Sequence, residues 1–250
     1  MGDVVRSASN FLTQDSSTTS DGSFAVTIPS TCTAANNGIC IAIAGGYVGA
    51  IGDVPFLDQL CWDNGDTLDF TEIIRELYTA AGGACVVTAY RMTASDGNWP
   101  GTGAKTLYYR TAGNSAIISG KNIAVFFYEN VDQNAPIIST DSASDGTAAW
   151  TATLADVTAD DMAVIASMSD GVEVEADYGA GQTIISEVLY NYVGSGSGDE
   201  LGEGAPSIYA GGATHIKVAF ALLAAAGEAP ATLPIPRPLS RPFGGPLGGL

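Results

Sequence analysis

The stretch DGSFAVTIPSTCTAANNGICIAIAGG (residues 21–46) indicates the fold class of this chain. Its first part alternates, because Phe24, Val26 and Ile28 share one parity and the residues between them are small or polar. An Asn-Asn-Gly turn sequence follows, and then the apolar run ICIAIA. Alternation with a period of two is typical of strands, and a turn sequence between two such runs favours antiparallel pairing. The sequence therefore predicts a β-hairpin here.

The same rhythm of apolar runs and turn sequences continues along the chain. Runs rich in β-branched and aromatic residues recur about every ten to fifteen residues. These predicted strands are residues 84–92, 105–111, 122–131, 148–157, 161–169, 171–178, 183–193 and 215–225. The glycine-rich stretches GSGSGDELGEGAP (194–206) and AGGAT (210–214) are predicted to be loops. The pattern predicts an all-β fold, an antiparallel, jelly-roll-like β-sandwich of about ten strands in two sheets.

One segment departs from this rhythm. In LDFTEIIRELY (68–78), the residues Phe70, Ile73, Ile74, Leu77 and Tyr78 recur at helical spacing. Periodicity alone therefore predicts one short helix at this place.

Length and composition set the domain organisation. The chain has 250 residues, of which 46% are hydrophobic and 14% charged, with 31 glycines. That length suits a single all-β domain, and no motif recurs at a fixed period, which excludes a solenoid. We divide the chain into an N-terminal arm or first strand (1–20), a β-sandwich (21–228) and an extended Pro- and Gly-rich C-terminal arm (229–250).

The charge distribution excludes one class of partner. The net charge is −18, and all 27 acidic residues precede Leu233. Such a body repels phosphate backbones, so no nucleic acid is expected as a partner. The longest apolar stretch, VAFALLAAA (218–226), is too short to cross a bilayer, and the first residues lack the pattern of a secretory signal. We therefore expect no membrane association and folding in a cytoplasm.

Residues that could carry chemistry are few. GVEVEAD places Glu173, Glu175 and Asp177 on one face of a strand, as a glycosidase would need, but a solvated face explains them as well. His215, the single histidine, alternates with Lys217 on what is predicted to be a solvent-facing side of a strand. No nucleophile elbow or phosphate-binding loop occurs. We expect no catalytic residue, no cofactor and no enzymatic activity.

Metal and disulfide sites are also weakly indicated. Acidic residues in predicted loops could offer oxygen ligands to calcium, although none forms an EF-hand pattern; they are Asp141, Asp145, Asp160, Asp161, Asp199 and Glu200. The four cysteines lack a zinc spacing, so no metal site is expected. Cys32 and Cys40 flank the Asn-Asn-Gly turn, so they either close a small disulfide or remain free, half-buried thiols.

Two features point to contacts with other molecules. Trp99 lies in the turn-rich SDGNWPGTG, where an aromatic residue often contacts a ligand or a neighbour. The tail LPIPRPLSRPFGGPLGGL (233–250) has five prolines, which exclude a helix interior or a central strand, yet it carries large apolar side chains. We predict a subunit interface made of Leu233, Ile235, Arg237, Leu239, Arg241, Phe243, Leu247 and Leu250.

The middle of the chain resembles a known group of proteins. The segments LCWDNGDTL, YRMTASDG, NIAVFFYENVDQNAPI, WTATLADVTADDMAVIA, YGAGQTIISE and GGATHIKVAFALLAA follow one another in that order. Together they resemble β-sandwich structural proteins of bacteriophages and bacterial surface proteins, over roughly residues 20–226. The tail is similar to the Pro- and Arg-rich arms of some phage virion proteins.

The resemblance implies a function without catalysis. It favours a virion structural protein, a capsid decoration, tail or fibre component, that forms homo-oligomers or binds other virion proteins. The alternative is a carbohydrate-binding or glycoside-cleaving sandwich, with a host-surface glycan as its ligand. The expected location is the virion, assembled in the host cytoplasm.

Overall fold

The computed structural model describes residues 2–15, 21–48, 57–63, 65, 67–80, 83–111, 117–144, 149–170, 177–178, 183–190, 193–209 and 214–226. Within these ranges the chain forms sixteen strands and one short 3-10 turn at Ala34–Asn36. The strands are β1 (Val5–Asp15), β2 (Asp21–Ile28), β3 (Ile39–Val48), β4 (Leu57–Cys61), β5 (Thr71–Ala80), β6 (Gly83–Thr93), β7 (Gly103–Thr111), β8 (Ile117–Glu129), β9 (Ile137–Ala143), β10 (Ala149–Thr151), β11 (Met162–Asp170), β12 (Asp177–Tyr178), β13 (Thr183–Tyr190), β14 (Val193–Leu201), β15 (Ser207–Tyr209) and β16 (Thr214–Leu222).

The strands form four antiparallel sheets. Sheet A has the order β1-β8-β3-β6-β5 and sheet B the order β2-β7-β4; sheet C has the order β13-β14-β11-β16-β9 and sheet D the order β10-β15-β12. The predicted all-β sandwich is confirmed, but it has sixteen strands instead of about ten, and four sheets instead of two. The described ranges contain no apolar helix of the length needed to cross a bilayer.

The sheets stack in the order B, A, C, D, with a hydrophobic core at each of the three contacts. Sheets A and C, the two large ones, pack face to face in the middle. Their central strands are therefore covered on both faces. This explains why ICIAIA in β3 and VFFY in β8 are continuously apolar, since a strand buried on two sides has no solvent-facing positions.

Each half of the chain builds one large and one small sheet. The first half, which we name unit 1 (residues 5–129), forms sheets A and B, and the second half, unit 2 (residues 137–222), forms sheets C and D. In each unit the first, eighth, third and sixth strands are neighbours, and the second, seventh and fourth form the other sheet. This is the strand order of a jelly roll, except that the fifth strand lies beside the sixth.

The hairpin predicted for residues 21–46 is wrong, although both of its strands exist. β2 pairs with β7 in sheet B, whereas β3 lies between β6 and β8 in sheet A. The two strands are joined by the 3-10 turn, where Asn37 adopts a left-handed conformation and ends the turn. The turn sequence correctly indicates that the chain changes direction here. The strands before and after the turn, however, belong to different sheets.

The helix predicted for residues 68–78 is also wrong, because this segment is the edge strand β5. Its register against β6 shifts between Glu72 and Ile74, which marks a β-bulge at Ile73. The bulge allows Ile73, Ile74 and Tyr78 all to pack against the core between sheets A and C. In the sequence, apolar residues at the spacing of Ile73, Ile74 and Tyr78 look the same as the apolar face of a helix.

Two further expectations need correction. The stretch 194–206 is not all loop, since its first part belongs to β14, which pairs with both β11 and β13. The predicted solvent-facing side of β16 is covered instead, because Lys217 is buried and Ala219 and Ala221 on the same face pack beneath sheet D. The side chain of His215 lies outside the described residues.

The turn before β11 holds both ends of the described chain. The Val4 backbone N–H donates to the Asp160 carbonyl at 2.9 Å. The next residue, Asp161, accepts a hydrogen bond from the Ala224 backbone N–H at 2.7 Å through Oδ1. Residues 4 and 224 are therefore neighbours in space, beside one turn.

Candidate functional site

The contact between the two units contains the largest of the three hydrophobic cores in the part of the chain that the structure describes. Nineteen buried hydrophobic residues form one cluster there, seventeen of them in strands of sheets A and C and two, Val4 and Val131, just outside the strands. At one end of this apolar contact lies a polar group of three side chains, Arg6, Tyr128 and Asp199, which we name the inter-unit cluster. It joins side chains of both units through an ion pair and a hydrogen bond.

The inter-unit cluster is positioned by three strands. Arg6 on β1 pairs in register with Tyr128 on β8, and Asp199 lies on β14 of the other unit. Arg6 Nε lies 3.2 Å from Asp199 Oδ2, and the Tyr128 hydroxyl donates to the same oxygen at 3.1 Å. Asp199 is 5% exposed and Tyr128 is fully buried. One buried carboxylate oxygen of unit 2 thus receives two donors from unit 1.

Burial dominates the electrostatics of the cluster. It raises the pKa of Asp199, and the nearby Arg6 charge and the Tyr128 hydrogen bond offset this only in part. Burial also raises the pKa of Tyr128 well above its usual value, and the Asp199 charge adds to that shift. The phenol therefore remains protonated near neutral pH, and it is available as a hydrogen-bond donor.

This arrangement predicts a pH dependence of stability. Because the pKa of Asp199 is raised in the folded protein, the folded state binds more protons than the unfolded chain above about pH 4. The Asp199 contribution to the free energy of unfolding therefore falls as pH rises from about 4 through the folded pKa. We expect Asp199→Asn to remove this fall, so that the variant gains stability relative to the parent as pH rises.

Urea unfolding at a series of pH values between 4 and 7 measures this difference. Asp156→Asn is the matched control, because Asp156 is exposed and its left-handed backbone conformation is one that asparagine also adopts. A stability difference between Asp199→Asn and the parent that does not change with pH would contradict the prediction.

Chemically, the cluster connects the two units but lacks the parts of a hydrolytic site. A nucleophile would need a base within hydrogen-bond distance, and Arg6 and Tyr128 are both donors to Asp199. Next to it, Glu129 accepts hydrogen bonds from Ser7 and from Thr31, so that carboxylate is also engaged. The geometry therefore fits a role in fixing unit 1 against unit 2.

The predicted interface residues of the tail, Leu233 to Leu250, lie outside the described residues. Trp99 is half-buried and packs against the core between sheets A and B, so only part of its surface remains open to a ligand or neighbour. Glu173 and Glu175 lie outside the described residues, and the same holds for the side chain of Asp177.

The acidic residues considered for calcium have separate structural tasks. Asp141 accepts hydrogen bonds from the backbone of Ser142 and Thr153, and Asp199 belongs to the inter-unit cluster. Asp161 is fully buried and capped by neighbouring donors. In the described part of the chain, no three His, Cys, Asp or Glu side chains are grouped as metal ligands. Asp145 and the Glu200 side chain are outside the described residues.

The four cysteines are free and buried, so the Cys32–Cys40 disulfide is not formed in this structure. Burial raises the pKa of the Cys32 thiol to about 12, with a further contribution from the Glu129 charge. Cys32 and Cys40 both belong to the core between sheets A and B. They behave as small apolar side chains, which is the common role of a buried free cysteine.

Two members of the inter-unit cluster carry no recognisable signal in the sequence. Arg6 lies in a stretch with few apolar residues, and Tyr128 ends an apolar run that looks like ordinary core. Buried lysines were missed as well: Lys121 is inside unit 1, with Nζ 5.1 Å from the centroid of the Tyr109 ring, a cation–π arrangement. The contacts of the inter-unit cluster join residues far apart in the chain, so local patterns cannot reveal them.

Comparison with known proteins gave no relative: no family profile, no curated protein and no solved structure matches this chain.

Proposed function

We propose that this chain is a non-enzymatic structural subunit of a bacteriophage virion, a capsid decoration, tail or fibre component, which binds its neighbours through residues 233–250. The observation that carries the proposal is the pair of jelly-roll-like units joined through one continuous apolar core. Jelly rolls recur in viral capsid proteins, where a rigid body must present fixed surfaces. A body with this much buried apolar contact suits that task.

The composition of the tail supports assembly through the arm. Proline-stiffened segments lose less conformational entropy on docking than flexible ones, and each large apolar side chain that is fully buried contributes on the order of 1 kcal/mol or more. Arg237 and Arg241 are the only charged residues of the arm, and the rest of the chain carries all 27 acidic residues. Charge complementarity would fix the register of the arm on the next subunit.

A second candidate function, carbohydrate binding, has one supporting observation. Jelly rolls are also found in lectins. On the outer face of sheet B, the half-buried Tyr108 ring lies near an ion pair in which Arg110 Nε is 2.8 Å from Asp58 Oδ1. A ring beside polar groups is a surface on which a sugar can stack and form hydrogen bonds.

Truncation of the arm tests the proposal. We expect a chain of residues 1–232 to fold with an unchanged circular dichroism spectrum and melting temperature but to lose assembly. Light scattering and negative-stain electron microscopy at matched protein concentration would measure particle size. The control replaces residues 233–250 by a Gly-Ser segment of equal length, which keeps chain length without the apolar side chains.

The two candidate functions differ in this experiment. If the virion assembles through the arm, neither the truncated chain nor the chain with the Gly-Ser segment forms the particles that the full chain forms. Particles of unchanged size after truncation would contradict the proposal and would leave carbohydrate binding as the better explanation, since that function does not need the arm.

A further inference from the structure

The two units share one strand order. Sheet C, written from its other edge, is β9-β16-β11-β14-β13, which is the order of sheet A with every strand replaced by the eighth strand after it. Sheet D, β10-β15-β12, corresponds to sheet B in the same way. All sixteen described strands take part in this correspondence.

The residue register agrees between the units as well. Ile39 pairs with Thr93 and Tyr128, and its counterpart Met162 pairs with Leu201 and Leu222. In both units the first residue of the third strand is thus placed opposite the end of the sixth and the eighth strands. Strand order alone would not require this.

The irregularities coincide too. β5 breaks register between Glu72 and Ile74, and β13 breaks register between Ile184 and Ser186. In both strands the break follows the second residue. The segments are TEIIRELY and TIISEVLY, and they share Thr, Ile, Leu and Tyr at their first, third, seventh and eighth positions. Bulges are specific features of a strand, so their coincidence indicates a common origin.

The units face each other with approximate two-fold symmetry, from which the close contact of β5 with β16 departs. β3 lies against its counterpart β11; β1 lies against β13, and β5 against β9; β8 lies against β14, and β6 against β16. Gly45 and Met168 occupy equivalent positions, and a Cβ added to Gly45 would lie 2.7 Å from Met168 Sδ. When two copies use the same surface to pair about a two-fold axis, a residue near the axis contacts the equivalent residue of the other copy, as Gly45 and Met168 do here.

We infer that the chain is a tandem duplication of one eight-stranded unit, and that the face formed by sheet A or sheet C fits a second copy of that unit. The chain is then a covalently joined dimer. The contact between units 1 and 2 is the contact that two separate copies would make.

The inter-unit cluster decides which copies pair. In unit 1, the position equivalent to Asp199 is Arg91, and strand alternation directs it to the face that carries Val87 and Ala89 of the shared core. A pair of two units 1 would therefore place Arg6 of one against Arg91 of the other. Like charges at a contact disfavour that pairing, whereas Arg6 and Asp199 favour the unlike one.

The corresponding positions in unit 2 are apolar. Ile137 is paired with Leu222 as Arg6 is paired with Tyr128. A pair of two units 2 would therefore enclose Asp199 without its guanidinium or phenol partner. An unpaired buried carboxylate is costly, so this pairing is also disfavoured. The faces of sheets A and C therefore fit each other in shape, while the charges at Arg6, Arg91 and Asp199 favour the pair of unit 1 with unit 2.

A cleavable full-length chain tests this inference. A protease site is inserted between the exposed Asn134 and Ala135, in the segment that joins the units, and the folded protein is cleaved and examined by native mass spectrometry. We expect the cleaved parent to remain a pair of unit 1 with unit 2. After exchange in mild denaturant, the variant Arg91→Asp should also form a pair of two units 1, because Arg6 of each copy then meets a carboxylate.

Arg75→Asp is the matched control, since it makes the same change of charge on β5, away from the position equivalent to Asp199. The control should show only the unlike pair. Dissociation of the cleaved parent into single units would overturn the inference. A second variant, Arg91→Glu, is tested in the same way, and circular dichroism checks that each intact variant is folded. If both folded variants form no pair of two units 1, the inference is also overturned.

Discussion

Replacing Phe126 or Phe220 by alanine is expected to lower the free energy of unfolding by about 3–5 kcal/mol in each case. Both rings are completely buried in the core between the two units. Alanine removes most of the ring contacts and leaves a cavity that sheets packed from both sides cannot fill. Because the two phenylalanines are equivalent residues of the two units, we expect their costs to be similar.

Guanidinium unfolding monitored by circular dichroism measures this cost. Leu201→Ala is the control, because Leu201 lies 41% exposed at the end of β14, and its truncation should change stability by about 0.5 kcal/mol or less. A loss smaller than about 1 kcal/mol for both phenylalanines would show that the contact between the units is not the closely packed core described above.

Asp161→Ala is expected to cost about 3 kcal/mol, since it leaves buried donors without an acceptor. Asp161 is fully buried, and its Oδ2 accepts hydrogen bonds from both the backbone N–H and the hydroxyl of Thr158, each at 2.8 Å. Its Oδ1 accepts the Ala224 N–H at 2.7 Å. The carboxylate therefore fastens the end of β16 to the turn that precedes β11.

Two further variants separate the hydrogen bonds from other effects. Asp161→Asn keeps one acceptor oxygen, so we expect roughly half of the loss. Asp160→Ala, at the neighbouring half-buried position, keeps the backbone carbonyl that accepts the Val4 N–H, and it should change stability by about 0.5 kcal/mol or less. Equal effects of the alanine substitutions at positions 160 and 161, measured by urea unfolding, would refute the assigned role of the carboxylate.

Local patterns predicted where strands lie better than how they pair. The apolar runs at 84–92 and 161–169 fall within one or two residues of β6 and β11. The hairpin failed because pairing depends on sheets assembled from distant strands. The helix failed because a bulge in β5 places consecutive isoleucines against the same core. The spacing of apolar residues indicates which side chains are buried. A bulge adds one residue to a strand, so the buried residues no longer alternate with a period of two.

The duplication was hidden from a search for a fixed period. The strands of unit 2 are often shorter than their counterparts: β2 has eight residues and β10 three, while β8 has thirteen and β16 nine. Equivalent residues are therefore separated by different numbers of residues along the chain. Only the register of the sheets aligns them, and register is a property of the folded protein.

The inter-unit cluster could not be predicted for a related reason. Asp199 follows a run of alternating glycine and serine, which looked like a loop because it has no large side chains to mark a strand. In the fold those small residues belong to β14, between β11 and β13. The partners of the carboxylate, Arg6 and Tyr128, both belong to sheet A of the other unit, so no pattern around Asp199 in the sequence reveals them.

The proximity of residues 4 and 224 has a practical consequence for any fusion protein. Both are hydrogen-bonded to the turn at Asp160 and Asp161, so a reporter attached ahead of Val4 would emerge beside Ala224, just after the end of β16. The arm follows Ala224 in the chain, so a bulky reporter there would obstruct the assembly proposed above. A fluorescent label joined at that end would then be a steric probe of the proposed docking, and a cleavable linker would make the obstruction reversible.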